Sequence, residues 1–197
     1  MNIQQARHIR WHFDIAYLMQ VSGQKFRTFC ECGVGPLDIA AAPKVYDHNL
    51  SDRMVLVEPN PHLAEMAALR MPKAKLVRAA IGAQAGRAKF RMNMGSSYLA
   101  NTWSPTPVSA EDIEVNVMKF SEIDDGTIDC LVLDNEGQEW SVLSGLHSQP
   151  TILSVEVWRG HPNEGEIFRW IEERGYKLRF TTGPEGETML FTLDQRA

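Results

Sequence analysis

The chain has 197 residues, enough for one domain with a sizeable core. Its hydrophobic share of 44% and charged share of 23% are ordinary for a globular domain, and a net charge of −5 offers no basic field to nucleic acid or anionic lipid. No run is long and apolar enough to span a bilayer, and residues 1–10 carry polar and charged groups instead of a signal-type apolar stretch, so a cytoplasmic location is expected.

In chain order, the first predicted element is an amphipathic helix within residues 1–23. Ile3, Ala6, Ile9, Phe13 and Ala16 form its apolar stripe, and Arg7, His8, Arg10 and His12 its polar face. A buried strand runs from Phe26 to Glu31, and Gly33 and Gly35 break it. A short helix is expected over 36–42, stopped by Pro43, and the polar stretch 44–53 reads as a loop. Met54–Val57 is a second strand. Asn60 then caps a helix that starts at Pro61 and carries a stripe of Leu63, Met66, Ala67 and Leu69. A third strand is expected over 75–80.

Residues 87–92 and 114–120 alternate as surface or edge strands do, and 95–110 reads as a long loop. One helical turn is expected over 120–123. The apolar run 128–133 is a strand, followed by a helix through Trp140, Leu143 and Leu146 and by another strand over 152–157. A helix over 166–174 ends at Gly175, a natural C′ residue. Two alternating stretches, 177–182 and 188–193, flank Gly183-Pro184-Glu185-Gly186 and form a hairpin.

Alternating strands and helices predict an α/β fold with a mostly parallel sheet, helices on both faces and an antiparallel strand at one edge. The chain is expected to be a single domain over 1–197, with the helix in 1–23 and the core in 26–193. Three cysteines, Cys30, Cys32 and Cys130, lack zinc-site spacing and read as buried thiols of a reduced protein.

The chemistry sits at the strand ends, where open α/β sheets bind ligands. Glu31, Glu58 and Asp134 each end a strand, and Glu136 follows two residues after Asp134. Gly33 and Gly35 allow a close backbone approach that a Cβ would block. Glu58 follows Gly35 by 23 residues, the distance at which a second-strand carboxylate accepts hydrogen bonds from ribose hydroxyls. The pattern points to an adenosine-bearing cofactor. A dinucleotide fingerprint wants a third glycine where Asp38 stands, and pyrophosphate is repelled by Glu31. S-adenosylmethionine, with an ammonium, a sulfonium and no phosphate, fits acidic strand ends better.

The motifs Glu-Cys-Gly-Val-Gly (31–35), Val-Glu-Pro-Asn (57–60), Ala79-Ala80 and Leu-Asp-Asn-Glu-Gly-Gln-Glu (133–139) together resemble the FkbM-type methyltransferases. The resemblance implies a three-layer α/β/α, Rossmann-like methyltransferase fold with a seven-stranded sheet and an antiparallel C-terminal hairpin strand. It implies S-adenosylmethionine as cofactor and O-methylation of a hydroxyl on a sugar or other small molecule. Glu31, Gly33, Gly35, Glu58, Pro59, Asn60, Ala80, Ser97 and Asp134 are carried over as cofactor-binding positions, Ser96-Ser97 resembling the family's serine-bearing stretch. Gly35 stands where the family has Asn, Leu37 where it has a later Gly, and Val132 where it has Lys.

Methyl transfer to a hydroxyl needs a general base within hydrogen-bond reach. Asp134 and Glu136 are the best placed, though Asp134 could instead hold the cofactor's amino group. His161, in a strand-end loop, is a third candidate base, against the plainer reading of a surface histidine. Glu156 is either a paired core carboxylate or catalytic. Asp134, Asn135 and Glu136 could ligate Mg²⁺, but no metal is required by the sequence. Trp103 and Trp158 could stack on an acceptor or simply fill space. A small-molecule acceptor is expected, with no nucleic-acid or membrane partner. The competing readings are a non-catalytic adenosine-ligand binding protein and an NAD-dependent enzyme.

Overall fold

The structure, a computed structural model, describes residue 15 and residues 23–92, 97–100, 111–182 and 188–193. The predicted N-terminal helix, Ser96, Trp103 and the hairpin turn therefore lie outside the described residues, Ile15 excepted, which is buried.

Seven strands form the main sheet. β1 (Phe26–Cys32) lies between β2 (Ser51–Val57) and β8 (Cys130–Leu133); β3 (Lys75–Val77) follows β2, and β9 (Ile152–Glu156) follows β8. These five run parallel. β11 (Thr188–Leu193) runs antiparallel beside β9 and antiparallel to β10 (Tyr176–Thr182), which forms the edge. The reversed strand is thus the C-terminal strand of the hairpin, as expected, and it lies second from the edge with β10 outside it.

Side-chain alternation sends each central strand into two cores. Cys30, Cys32, Leu131, Leu133 and Val155 face α3 (Glu139–Leu143) and α4 (Glu164–Glu173). Phe29, Leu56, Cys130 and Val132 face α1 (Ala42–Asp47) and α2 (Pro61–Arg70). Strands buried on both faces need continuous apolar runs, which is why β8 reads Cys-Leu-Val-Leu.

Several expectations change. Pro43 does not stop a helix; it sits in the first turn of α1, where its missing N–H costs nothing, and the helix and β2 occupy most of the stretch read as loop. Asn60 does cap α2: its Oδ1 accepts from His62 N–H at 3.0 Å and Leu63 N–H at 3.4 Å. The buried stripe of α2, however, is Ala64 and Ala67, while Leu69 is 75% exposed. Small residues let this helix approach the sheet closely.

The chain between β3 and β8 builds a second sheet. β4 (Ala80–Ile81), β5 (Gly86–Met92), β6 (Tyr98–Leu99) and β7 (Glu111–Met118) pair in the order 4-7-5-6 around Phe90, Leu99, Val115 and Val117. The third predicted strand is therefore two strands, parted after Val77. Part of the predicted long loop is β6. A 3₁₀ turn over Phe120–Glu122 returns the chain to the main sheet.

Candidate functional site

Strand order reverses at β1, so β1 and β8 define the switch point at which such sheets bind ligands. The register builds the site there. Cys32 pairs with Val57 on one side and Leu133 on the other, and Leu133 pairs with Val155. One residue further along each strand stand Glu58, Gly33, Asp134 and Glu156, in a row across the strand ends.

Gly33 is the only small member of that row. Its φ is +78°, its N–H donates to the Val57 carbonyl at 2.9 Å, and a Cβ would lie 1.8 Å from the Asp134 carbonyl oxygen. The close approach expected for a ligand is therefore made by β8. Gly35, with φ +59°, donates its N–H to Glu58 Oε2 at 2.9 Å, and Asn60 N–H donates to Oε1 at 2.8 Å. One carboxylate thus ties the glycine turn to the start of α2. Burial raises the Glu58 pKa, against the pull of its two amide donors.

Glu31 faces the α1 side, and its oxygens accept from Ala41 N–H at 2.9 Å and Ala42 N–H at 2.7 Å. It is 1% exposed, and burial outweighs those two bonds, lifting its pKa to about 8. Its carboxylate anchors the start of α1 while forming part of the cavity wall.

The cavity over this row has a volume of about 570 Å³. Gly33, Gly35, Glu58, Pro59, Asn60, Ala80, Ser97, Asp134 and Glu136 all line it, which brings together every cofactor-binding position read from the sequence. Its described lining holds four carboxylates and one histidine, His62, and no Lys or Arg. Ile81, Phe90, Met92 and Leu99 from the second sheet form an apolar wall that sequence reading missed. No local signal could have revealed it, because those residues reach the site only through the pairing of β4 to β7.

Asp134 and Glu156 are hydrogen-bonded carboxyl groups on adjacent strands. Burial, then the Asp134 charge, pushes Glu156 up to about 11; burial also raises Asp134. The pair therefore shares a proton at neutral pH. With Glu136 they bring three carboxylate oxygens within 4.8 Å of one another. Such an oxygen set suits a hard divalent cation, whose binding would displace the shared proton.

His161 is 4% exposed and does not line the cavity. Trp158 does not line it either. His161 Nδ1 accepts from Asn163 N–H at 3.0 Å, and Nε2 lies 3.4 Å from Glu139 Oε2. The surface-loop reading of His161 is thus wrong about its burial.

A seven-stranded sheet with one reversed strand, helices on both faces and a glycine turn at the switch point is the Rossmann-like methyltransferase architecture. The methyltransferase domain of bacterial CtHen1-CN shares it: TM-score 0.50, 13% identity, 98% of this chain and 100% of that one covered. A TehB-like SAM-dependent methyltransferase from Corynebacterium glutamicum matches with TM-score 0.48 and 13% identity, over 98% of this chain and 93% of that one. The chain belongs to the FkbM methyltransferase family: the methyltransferase FkbM domain matches residues 36–178, well over half its length. The matched region begins just after the Glu31–Gly35 turn, where the glycine pattern departs from the family's. No curated protein matches the sequence. No helix among the described residues is long and apolar enough to cross a membrane.

Proposed function

We propose that the chain transfers the methyl group of S-adenosylmethionine to a hydroxyl of a small, uncharged or cationic molecule such as a sugar. The observation that carries this reading is the row Glu58–Gly33–Asp134 lining a cavity whose described walls have four carboxyl groups and neither Lys nor Arg. Acidic groups with no Lys or Arg beside them favour a sulfonium and an ammonium and offer no cationic partner to a phosphate or carboxylate group.

In this reading Glu58, already fixed by two backbone amides, turns its remaining lone pairs to the ribose hydroxyls. Gly33–Gly35 and Asp134 hold the methionine part, and Ala80 and Ser97 border the adenosine beside the apolar wall. The acceptor oxygen attacks the methyl carbon in line; the carbon–sulfur bond breaks, and sulfur keeps its electron pair. The acceptor's proton passes to a carboxylate, for which Glu136 and Asp134 are the candidates. Alignment of the two reactants supplies up to roughly 7–11 kcal/mol of the acceleration.

Calorimetry with S-adenosylhomocysteine and with NAD tests the cofactor. Binding of the first and not the second is expected; the reverse overturns the reading. Glu58→Ala removes a charged hydrogen-bond acceptor and is expected to weaken S-adenosylhomocysteine at least tenfold. An unchanged affinity would remove Glu58 from the ribose contact. Transfer of labelled methyl to metabolites, with and without Mg²⁺, then separates an enzyme from a binding protein and tests the carboxylate cluster as a metal site.

A further inference from the structure

We infer that His161 is a positioning residue: together with Glu139 it clamps the turn after β8 so that Glu136 faces the cavity. Glu136 has φ +50° and Gly137 φ +100°. A non-glycine residue stays in that conformation only where its surroundings hold it. The holding group is Glu139, at the start of α3. Its Oε1 accepts from Asn135 N–H at 3.0 Å, and its two oxygens accept from Gly137 N–H at 3.2 and 3.1 Å. One carboxylate thereby grips the backbone on both sides of Glu136.

Glu139 is 2% exposed, and a carboxylate so deep needs a partner. His161 supplies it from a different loop, the one after β9, with Nε2 3.4 Å from Glu139 Oε2. Because Nδ1 accepts the Asn163 N–H, the neutral ring carries its hydrogen on Nε2, the ring nitrogen nearer to Glu139. His161 thus joins the loops after β8 and β9 through Glu139. It does not border the cavity, so it cannot take a proton from an acceptor bound there. The clamp itself follows from these contacts; the claim that it serves ligand binding rests on the methyltransferase reading above.

Two substitutions in the full chain separate the ring's two contacts. His161→Asn keeps an acceptor at the Nδ1 position for the Asn163 amide and loses the reach to Glu139. His161→Gln places a donor near the Nε2 position and keeps that reach. Amide hydrogen exchange needs no ligand. In His161→Asn the Asn135 and Gly137 amides are expected to exchange about tenfold faster relative to Leu131 in β8, and S-adenosylhomocysteine to bind about tenfold more weakly, while His161→Gln restores most of both. Equal protection of the two amides in wild type and His161→Asn overturns the clamp. If protection falls but affinity holds, the clamp stands and its service to the site is refuted. Failure of the wild-type chain to bind S-adenosylhomocysteine refutes the cofactor reading alone, and amide exchange still decides the clamp.

Discussion

Between pH 8 and 10 the wild-type chain is expected to lose stability through the Asp134–Glu156 pair, on the order of 1 kcal/mol per pH unit, and Glu156→Gln is expected to remove that loss. The sign follows from the shift. The Glu156 pKa rises from 4.5 to about 11 on folding, so the native pair holds one proton that the unfolded chain has released. A raised carboxyl pKa contributes stability that is fully present below pH 4.5 and is lost as pH climbs through the folded value. Glu31, lifted to about 8, adds a similar slope at lower pH, so the window above pH 8 isolates the pair. Glutamine at 156 offers an amide N–H to the Asp134 carboxylate and needs no shared proton. Urea denaturation of both proteins at pH 8, 9 and 10 reads the difference, since the buried cysteines contribute equally to each. Parallel slopes would mean that the two carboxyls hold no proton between them.

Gly33→Ala is expected to be the most damaging single substitution at the site, destabilising the fold by about 3–4 kcal/mol. The added methyl group would sit 1.8 Å from the Asp134 carbonyl oxygen, and φ +78° already disfavours any side chain. Backbone must move on one strand or the other, and both belong to the centre of the sheet. Gly35→Ala is the control. It shares the positive φ, but the nearest atom to its Cβ is 4.0 Å away, so it should cost only about 1 kcal/mol. Chemical denaturation of both variants checks the contrast. Equal losses would show that conformation alone, not the contact with β8, makes residue 33 a glycine.

Both predictions depend on residues whose importance was legible to very different degrees. Glu58 and Asp134 could be read from the chain because each ends an apolar run, a local pattern. Asn60 followed from its place before Pro61. Glu31 was legible as a strand-end acid, but not its partners, since the amides of Ala41 and Ala42 were hidden by reading Pro43 as a helix stop. Glu156 was readable only as an acid inside a strand. That it meets Asp134 depends on β8 and β9 being neighbours with Leu133 opposite Val155.

What the sequence by itself determined is local: the central strands, the breaks after them, the acids at their ends and the family motifs those acids form. Hydrophobic runs and turn residues act over a few positions, so a linear reading recovers them. The tertiary structure alone decided the second sheet and its apolar wall, the contact that makes Gly33 obligatory, the shared proton of Asp134 and Glu156, and the joining of His161 to Glu139. Each arises from segments roughly 10 to 100 residues apart meeting in a particular register, and register is set by how all the strands bury their faces together.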